Sequence, residues 1–259
     1  MKIATGTKLT WVLLAALLAL HAGIARALQP RSDYELLSDD LKQMQNDEFA
    51  NPGMLTVEKG RTLFAKPGYN GKACASCHGK DGAKLDPVAI AAYPVYKPKR
   101  GPVTLQSQIN YCWSERMDEF PMLYDADALV ALETFVRYLA RGQPVHVDIS
   151  GPMRAHYEAG RRLFETRIGQ RDMACVQCHE QHAGQHLRGQ VLNQAQINGF
   201  PIYRITNGHI LSLHQKYRGC YATLRAMPYQ PGSEEYIDLE TYMGARGNGL
   251  PIETPAIRR

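Results

Sequence analysis

The chain has 259 residues, of which 44% are hydrophobic and 21% charged, and its formal net charge at neutral pH is +5. This balance excludes a collagen-like chain, an extensively disordered chain and a protein with many membrane spans, because each needs a strongly biased composition. The first 27 residues contain three basic and no acidic side chains, so the rest of the chain is close to neutral. Composition therefore gives no reason to expect binding to nucleic acid.

Residues 1–27 have the features of a secretory signal peptide. Two lysines near the start supply positive charge, residues 11–20 are apolar, and residues 25–27 (Ala-Arg-Ala) form a small-x-small cleavage site. The apolar stretch is too short to span a bilayer, so we expect cleavage after Ala27 rather than a retained membrane anchor. The sequence therefore predicts a protein that acts outside the cytoplasm without membrane insertion.

Two C-x-x-C-H motifs, at 74–78 and 175–179, carry the main chemical signal. In this motif two thiols form thioethers with the vinyl groups of a haem, and the adjacent histidine binds the iron. A four-cysteine zinc site would need cysteine pairs closer in sequence, and a thioredoxin-like dithiol would not explain a histidine after both motifs. The sequence predicts two covalently bound haems c. The predicted attachment and proximal residues are Cys74, Cys77 and His78 for the first haem, and Cys175, Cys178 and His179 for the second.

The sequence around the motifs is duplicated. Three blocks recur in the same order and at nearly the same spacing: GRTLF (60–64) and GRRLF (160–164), LETF (132–135) and LETY (239–242), GQPV (142–145) and GLPI (249–252). A repeated block order of this kind indicates a tandem duplication of one structural unit. We therefore predict two domains, residues 28–148 and residues 149–259.

Each unit is predicted to be mostly helical. Apolar residues recur at helical spacing in residues 57–64 and 128–139, and Ser233 can cap a further helix. The segments between them are rich in glycine, proline and polar residues, without the alternation typical of strands. A first helix, a C-x-x-C-H motif, loops and a closing helix resemble the class I cytochrome c domain. The predicted fold is therefore mainly α, with two tandem class I cytochrome c-like domains.

Each iron also needs a distal ligand, and two cysteines, Cys112 and Cys220, remain after haem attachment. They occupy similar places in the two repeats, at nearly equal distances before Leu132 and Leu239 of the closing helices. This register favours thiolate ligation of both irons over a disulfide between the two cysteines. The residues leave both interpretations open, together with other distal ligands. These are Met117, Met122, Met227, His182, His186, His209 and His214.

Three segments resemble the SoxA family, the dihaem subunit of the SoxAX cytochromes of bacterial sulfur oxidation. They are residues 108–112 (QINYC), residues 218–221 (RGCY) and the tail at 245–259. The resemblance extends over essentially the whole exported chain. It implies His/Cys ligation of both haems, with Cys112 and Cys220 as distal ligands. It also implies that Cys220 is the catalytic cysteine and carries a persulfide.

The resemblance implies an activity and its partners. Members of this family are L-cysteine S-thiosulfotransferases of the periplasm. They conjugate thiosulfate oxidatively to a cysteine of the carrier SoxYZ, and electrons leave through the monohaem cytochrome SoxX to an acceptor cytochrome c. Two other interpretations stay open, a dihaem thiosulfate dehydrogenase that forms tetrathionate and a simple dihaem electron carrier.

One residue departs from the family pattern. Four residues before the catalytic cysteine the family carries an arginine, where this chain has Lys216. Lysine keeps the positive charge but replaces a bidentate fork with a point donor. We predict that Lys216, together with Arg218, binds the thiosulfate dianion.

Overall fold

The computed structural model describes residues 29–187 and 189–259, so the predicted signal peptide at 1–27 lies outside the described residues. Within the described part, no helix has the length and apolar character needed to cross a membrane. The fold is mainly α, as predicted, and two halves repeat the same order of elements. The boundary between residues 148 and 149 stays a prediction.

The first half contains both helices that the sequence pattern predicts there. An N-terminal segment comes first, with a 3-10 turn Asp33–Leu36 and α1 Asp39–Asn46. The elements of the first half follow in chain order: α2 Met54–Ala65, α3 Cys74–His78, a 3-10 turn Lys80–Gly82, α4 Pro87–Ala91, β1 Val95–Lys97, β2 Gly101–Val103, α5 Leu105–Met117 and α6 Asp127–Tyr138. The helices predicted at 57–64 and 128–139 are thus confirmed as α2 and α6.

The second half repeats the order of first helix, C-x-x-C-H turn, strand pair, cysteine-bearing helix and closing helix, but in its described residues it lacks a counterpart of α4 and contains three further strands. Its elements are α7 Met153–Glu165, a π-helical turn Gln177–Gln181, β3 His186–Leu187, β4 Gln190–Val191, β5 Ile202–Arg204, β6 His209–Leu211, α8 Leu213–Thr223, α9 Glu234–Arg246 and β7 Ala256–Arg258. Ser233 caps α9, as predicted, and its side chain accepts a hydrogen bond from the Tyr236 amide.

The segments predicted to be loops contain short strands, which corrects that expectation. Strands β1 and β2 pair antiparallel, as do β3 and β4, and β5 lies between antiparallel β6 and parallel β7. Each strand is only two or three residues long. A strand this short is less than two periods of the side-chain alternation, so no pattern could reveal it.

A close helix crossing recurs in both halves. Helix α2 packs on α6, and α7 packs on α9. At each contact the first helix has a glycine, and a Cβ added to Gly60 or Gly160 would lie 2.0 Å from the carbonyl oxygen of Ala131 or Asp238. Since no Cβ can approach a carbonyl oxygen so closely, only glycine permits this crossing.

The crossing places one aromatic ring of each first helix in the core. Phe64 packs edge-on against Phe135 with ring centroids 5.3 Å apart, and Phe164 packs at the same distance from Tyr242. Both phenylalanines are buried. The repeated sequence blocks therefore correspond to one repeated packing unit, an aromatic pair beside a glycine contact.

The segment before α2 binds to the second half as well as the first. The Gln45 side chain accepts a hydrogen bond from the Ile257 amide at 3.0 Å, and its backbone carbonyl accepts one from Arg141 at 2.9 Å. The Asn51 amide donates to the Pro255 carbonyl at 2.9 Å. Residues 31–51 thus join the two halves, although the chain enters the first half directly after them.

Gly160→Ala is expected to lower the free energy of unfolding by about 1–3 kcal/mol or more, because the new methyl group meets a backbone carbonyl that cannot move aside. Guanidinium-induced unfolding followed by circular dichroism measures the change. The control is Gly219→Ala in α8, where nothing lies within 4 Å of the added Cβ. That change should stabilise the helix by about 0.5–1 kcal/mol. Equal stability of the Gly160 variant and the parent would contradict the packing argument.

Candidate active site

Each C-x-x-C-H motif begins a short helical turn. A side chain within the motif accepts a hydrogen bond from the backbone amide of the residue just before the motif. The Ser76 hydroxyl accepts a hydrogen bond from the Ala73 amide at 3.0 Å, and the Gln177 side chain accepts one from the Ala174 amide at 2.7 Å. Residues three apart in a helix share a face, so the two cysteines of each motif point to the same side. None of the six cysteines forms a disulfide with another cysteine.

The first cysteine of each motif is half-buried and lies close to the extra cysteine of its own half. Burial raises the pKa of Cys74 to about 11, and the charge of Cys112 adds to the rise. Burial likewise raises the pKa of Cys175 to about 12, and the charge of Cys220 adds to it. The structure therefore brings Cys112 to the first motif and Cys220 to the second. A buried position that disfavours a thiolate suits a neutral thioether.

The extra cysteines lie on two helices that begin in the same way. The Thr104 side chain caps α5 by accepting from the Ser107 amide, and Ser212 caps α8 by accepting from the Gln215 amide, each at 3.1 Å. Cys112 and Cys220 are both the eighth residue after their cap. A capped helix start fixes the direction of the helix, so both cysteines reach equivalent places.

The residue four positions before each extra cysteine shares its helix face and differs between the halves. In α5 this residue is Gln108, whose amide donates to the Cys112 sulfur at 3.3 Å. In α8 it is Lys216, which is half-buried. The sulfur of Cys112 thus has a neutral donor where Cys220 has a cation, and only the second arrangement attracts an anionic substrate.

The second proximal candidate, His179, has a defined hydrogen bond. Its Nδ1 lies 2.9 Å from the Asn193 carbonyl oxygen, to which it donates, and this leaves Nε2 free to bind a metal. Burial lowers the pKa of His179, the hydrogen bond to Asn193 raises it, and the charge of Lys216 lowers it again. The ring is therefore held neutral, as a metal ligand requires.

The first proximal candidate, His78, has the same position relative to the core. Its ring centroid lies 6.2 Å from that of Phe64, at an interplanar angle of 39°. His179 and Phe164 repeat this geometry at 6.4 Å and 39°. Burial lowers the pKa of His78. The duplicated packing unit therefore positions both histidines.

The structure does not favour the other sulfur ligands. Cys112 and Cys220 form no disulfide. Met117 is buried against the Cys74 sulfur, 3.6 Å away, and Met227 is 89% exposed. Met122 packs against the first core from its edge.

The histidine alternatives are also engaged elsewhere. Both ring nitrogens of His214 have partners, since Nε2 lies 3.0 Å from Glu240 and Nδ1 accepts from the Gly232 amide at 3.0 Å. His182, His186 and His209 are exposed. Of the candidates, Cys112 and Cys220 thus have the placement that best fits distal ligation.

The two predicted substrate cations do not lie together. Residues two apart in a helix differ by about 200°, so Arg218 points away from the face shared by Lys216 and Cys220. Arg218 is exposed. Burial raises the pKa of Tyr236 to about 12, and the positive charge of Arg218 opposes this rise. Arg218 is therefore close enough to Tyr236 to interact with its hydroxyl group. Lys216 thus shares a helix face with Cys220, whereas Arg218 lies on another face, and the role of Arg218 in substrate binding stays a prediction.

Arg204 is a second cation near Cys220, and no sequence motif indicated it. Arg204, at the end of β5, is half-buried, and burial lowers its pKa while the charge of Cys220 opposes this. The guanidinium and the sulfur are therefore close enough to interact. The signal available in the sequence was the repeat itself, because the matching strand β1 also ends on a cation, Lys97.

A polar network connects the starts of the two cysteine-bearing helices. Asp125 Oδ1 accepts from the Ser212 hydroxyl at 2.5 Å and from the Gln106 amide at 3.1 Å. The Asp125 carbonyl also accepts from Gln215 at 3.3 Å. A side chain of the first half thus fixes the cap of α8, so the position of Cys220 depends on both halves.

Two carboxylates and one guanidinium are buried beside this network. Gln106 donates to Glu133 at 2.8 Å, as His214 does to Glu240 in the second half. Burial raises the pKa of Glu133 to about 8, and the charge of Glu240 adds to the rise, whereas Arg137 lowers it. Burial lowers the pKa of Arg137. Glu133 is therefore mainly protonated at neutral pH.

Comparisons with known proteins match the duplicated architecture. The family model described as SoxA/TsdA, cytochrome c domain matches residues 59–145 and 159–252. An L-cysteine S-thiosulfotransferase subunit SoxA from Rhodovulum sulfidophilum is 39% identical over 230 residues, which cover 88% of this chain and 80% of the relative. The SoxA subunit of Paracoccus pantotrophus is 32% identical over 233 residues, or 88% and 78% of the two chains.

A solved structure has the same fold. The crystal structure of SoxXA from P. pantotrophus superposes with a TM-score of 0.82 at 31% identity, and the match covers 89% of this chain and 87% of that chain. Residues 29–58 lie outside both stretches that the family model matches.

Glu133→Gln is expected to change how stability depends on pH. In the parent the folded-state pKa of Glu133 is raised from 4.5 to about 8, so this group destabilises the fold progressively as pH rises through that window. Glutamine keeps the acceptor for Gln106 but cannot ionise. The variant should therefore gain stability over the parent between pH 5 and 8, as urea-unfolding midpoints measure. Glu165→Gln, at an exposed position, is the control. A stability difference that does not grow with pH would contradict the assignment.

Proposed function

Because this chain belongs to the SoxA/TsdA cytochrome c family, we propose that it is a dihaem cytochrome that conjugates thiosulfate to a cysteine of a carrier protein. Its enzyme class is that of its relatives, the L-cysteine S-thiosulfotransferases. The observation that carries the proposal is the difference between the two distal cysteines. Cys220 has Lys216 one turn before it on the same helix face and interacts with the charge of Arg204, whereas Cys112 has the neutral Gln108.

The donor sets support two covalently bound haems c. Each motif supplies two thiols on one helical face and an imidazole held neutral by burial, with a further cysteine close to the first thiol. The residues that would hold the groups are Cys74, Cys77, His78 and Cys112 for the first haem, and Cys175, Cys178, His179 and Cys220 for the second. When bound, the second haem supplies a route by which electrons leave the sulfur of Cys220.

The residues around Cys220 account for substrate binding. Thiosulfate is a small dianion, and the ammonium of Lys216 and the guanidinium of Arg204 provide charge-assisted hydrogen bonds to its oxygens. Burial of Arg204 strengthens this attraction, because charges interact more strongly away from water. The outer sulfur of the bound anion can then contact the Cys220 sulfur, and removal of two electrons joins the two in an S–S bond. The carrier thiolate attacks the thiosulfate-derived sulfur, takes over the whole S-thiosulfonate group and releases the Cys220 sulfur as a thiolate or persulfide anion.

The overall reaction is a two-electron oxidation. A carrier thiolate and thiosulfate, with three negative charges between them, join through a new S–S bond to give an S-thiosulfonate with one negative charge. Two electrons must leave, and no atom is lost. Cysteine thiolates and lysine side chains cannot take up these two electrons. The reaction therefore needs the haems of the chain and an external electron acceptor.

The acceptor and the carrier are partners of the family. A relative of known structure forms a complex named SoxXA, and we infer that this chain pairs with the monohaem cytochrome SoxX. SoxYZ is the proposed carrier, and an acceptor cytochrome c receives the electrons. The features of residues 1–27 support export, so we propose the periplasm as the location.

Cys220→Ala is expected to abolish thiosulfate conjugation to SoxYZ, by more than about 100-fold, because it removes the reacting sulfur. Electron paramagnetic resonance of the oxidised parent should show two low-spin signals of the thiolate type, and the variant should lose one of them. A haem count on the same sample should remain two per chain. The matched control is Cys112→Ala, which should lose the other signal and keep conjugation activity.

Full activity of the Cys220 variant with both haems attached would refute the catalytic assignment. Tetrathionate formation without SoxYZ would identify a thiosulfate dehydrogenase instead. His/Met or bis-His signals on both irons would identify a simple electron carrier.

Lys216→Gln gives α8 the residue that α5 has at the matching position. We expect the KM for thiosulfate to rise about 10- to 100-fold with little change in kcat, because one charge-assisted hydrogen bond is worth about 1.5–3 kcal/mol. Steady-state kinetics at several thiosulfate concentrations measure the change. Arg218→Gln, on the other side of the helix, should leave KM unchanged. An unchanged KM in the Lys216 variant would remove Lys216 from substrate binding.

A further inference from the structure

The N-terminal segment before the first repeat contacts the surroundings of the second haem motif. Asp33 lies in the 3-10 turn Asp33–Leu36 and is 8% exposed. Its carboxylate oxygen Oδ2 accepts a hydrogen bond from the side-chain amide of Asn193. Asn193 follows the second C-x-x-C-H motif, whereas Asp33 lies outside the stretches that the family model matches. A residue from outside both repeats therefore contacts the surroundings of His179.

Asn193 connects Asp33 to the proximal histidine. Its backbone carbonyl accepts the hydrogen bond from His179 Nδ1 at 2.9 Å. Its side-chain oxygen accepts from the Ala195 amide at 2.9 Å, and its side-chain nitrogen donates to Asp33. Because the side chain is held at both ends, the backbone carbonyl of the same residue has a fixed direction toward the imidazole.

Asp33 itself is held by charge. Arg258 Nε lies 3.5 Å from Asp33 Oδ2, and the same guanidinium bonds Glu253 at 2.8 Å. Burial raises the pKa of Asp33 to about 6 and the charge of Arg258 opposes the rise, so the carboxylate is mainly ionised above pH 7. The other oxygen, Oδ1, is buried without a hydrogen-bond partner in the described residues.

The local turn does not need Asp33. The side chain that caps the turn is that of Ser32, which accepts a hydrogen bond from the Tyr34 amide at 3.2 Å. Burying a carboxylate with one unpaired oxygen costs free energy. The turn itself gains nothing from Asp33, so this cost is offset by the contacts that Asp33 makes outside the turn, with Arg258 and with Asn193.

In the described residues, the first haem motif has no hydrogen-bond chain equivalent to the one from Asp33 through Asn193 to His179. In residues 29–187 and 189–259, the His78 ring forms no side-chain or backbone hydrogen bond, although its packing on Phe64 matches that of His179 on Phe164. The two proximal histidines thus have the same packing and differ in the hydrogen-bond chain behind the ring.

We propose that Asp33 is a positioning residue for the second haem, which acts through Asn193 to hold the His179 ring and tune the potential of the iron. This inference rests on the proposed haem attachment at Cys175 and Cys178. A fixed carbonyl that accepts from Nδ1 makes Nε2 a stronger donor and stabilises ferric iron, which lowers the reduction potential. The N-terminal segment thereby makes the second haem differ from the first.

The test compares the two haems within one protein. In Asp33→Ala at pH 8, the midpoint potential of the second haem should shift to more positive values, and its electron paramagnetic resonance signal should change. The first haem should keep both its potential and its signal. Potentiometric titration of the intact dihaem protein gives all four quantities without an activity assay.

Two further variants separate the hydrogen bond from other effects. Asp33→Asn keeps an acceptor for the Asn193 amide and should stay closer to the parent than the alanine variant. Glu35→Gln is the matched control, because Glu35 pairs with Arg31 on the exposed side of the same turn, and it should change neither haem. If Asp33→Ala does not fold, Asn193→Ala tests the same connection from the other side and should shift the second haem alone.

An unchanged second haem in both alanine variants would overturn the proposal, and so would an equal shift of both haems. These outcomes are distinct from failure of the proposed function. A parent with two His/Cys haems but no conjugation activity would refute the function and leave the role of Asp33 open to the same titration. A parent with fewer than two covalent haems would overturn the role of Asp33 as well.

Discussion

The close crossing of the first helix on the closing helix is the constraint on which the rest of each half depends. Gly60 and Gly160 let the helices approach until a Cβ would lie 2.0 Å from a carbonyl oxygen of the partner helix. This approach brings Phe64 and Phe164 onto the closing helices and, on their other side, onto the proximal histidines. The haem motif of each half is therefore positioned by a backbone contact rather than by the loop that contains it.

The same arrangement of helices occurs in both halves, so the two sites can differ in chemistry while their geometry stays the same. The caps Thr104 and Ser212 start two matching helices, and each helix carries its cysteine eight residues later. The residue one turn before the cysteine differs in kind, a neutral amide in one half and an ammonium in the other. A change of charge at a matching position gives the second site, and not the first, an attraction for anions on that helix face.

The second site also depends on parts of the chain outside its own repeat. Asp125, from the first half, holds the cap of the helix that carries Cys220. Asp33, from the segment before the first half, is bonded to the residue that accepts the His179 hydrogen bond. The helix that carries Cys220 and the residue that accepts from His179 are therefore each held by a carboxylate from elsewhere in the chain, and supporting contacts of this kind orient the side chains of a site.

The sequence by itself determined the mainly helical fold, the duplication, the haem motifs and the equivalent positions of Cys112 and Cys220 in the two repeats. Each of these follows from spacing along the chain. The resemblance to the SoxA family indicated Lys216, which lies one helical turn before Cys220. Arg204, Asp125 and Asp33 could not be found in this way, since each reaches the second site through a contact between elements far apart in sequence. The same limit explains Arg218, which is closer to Cys220 in sequence than Lys216 yet lies on another face of the helix. Periodicity fixes neighbours within an element, whereas only packing decides which elements meet.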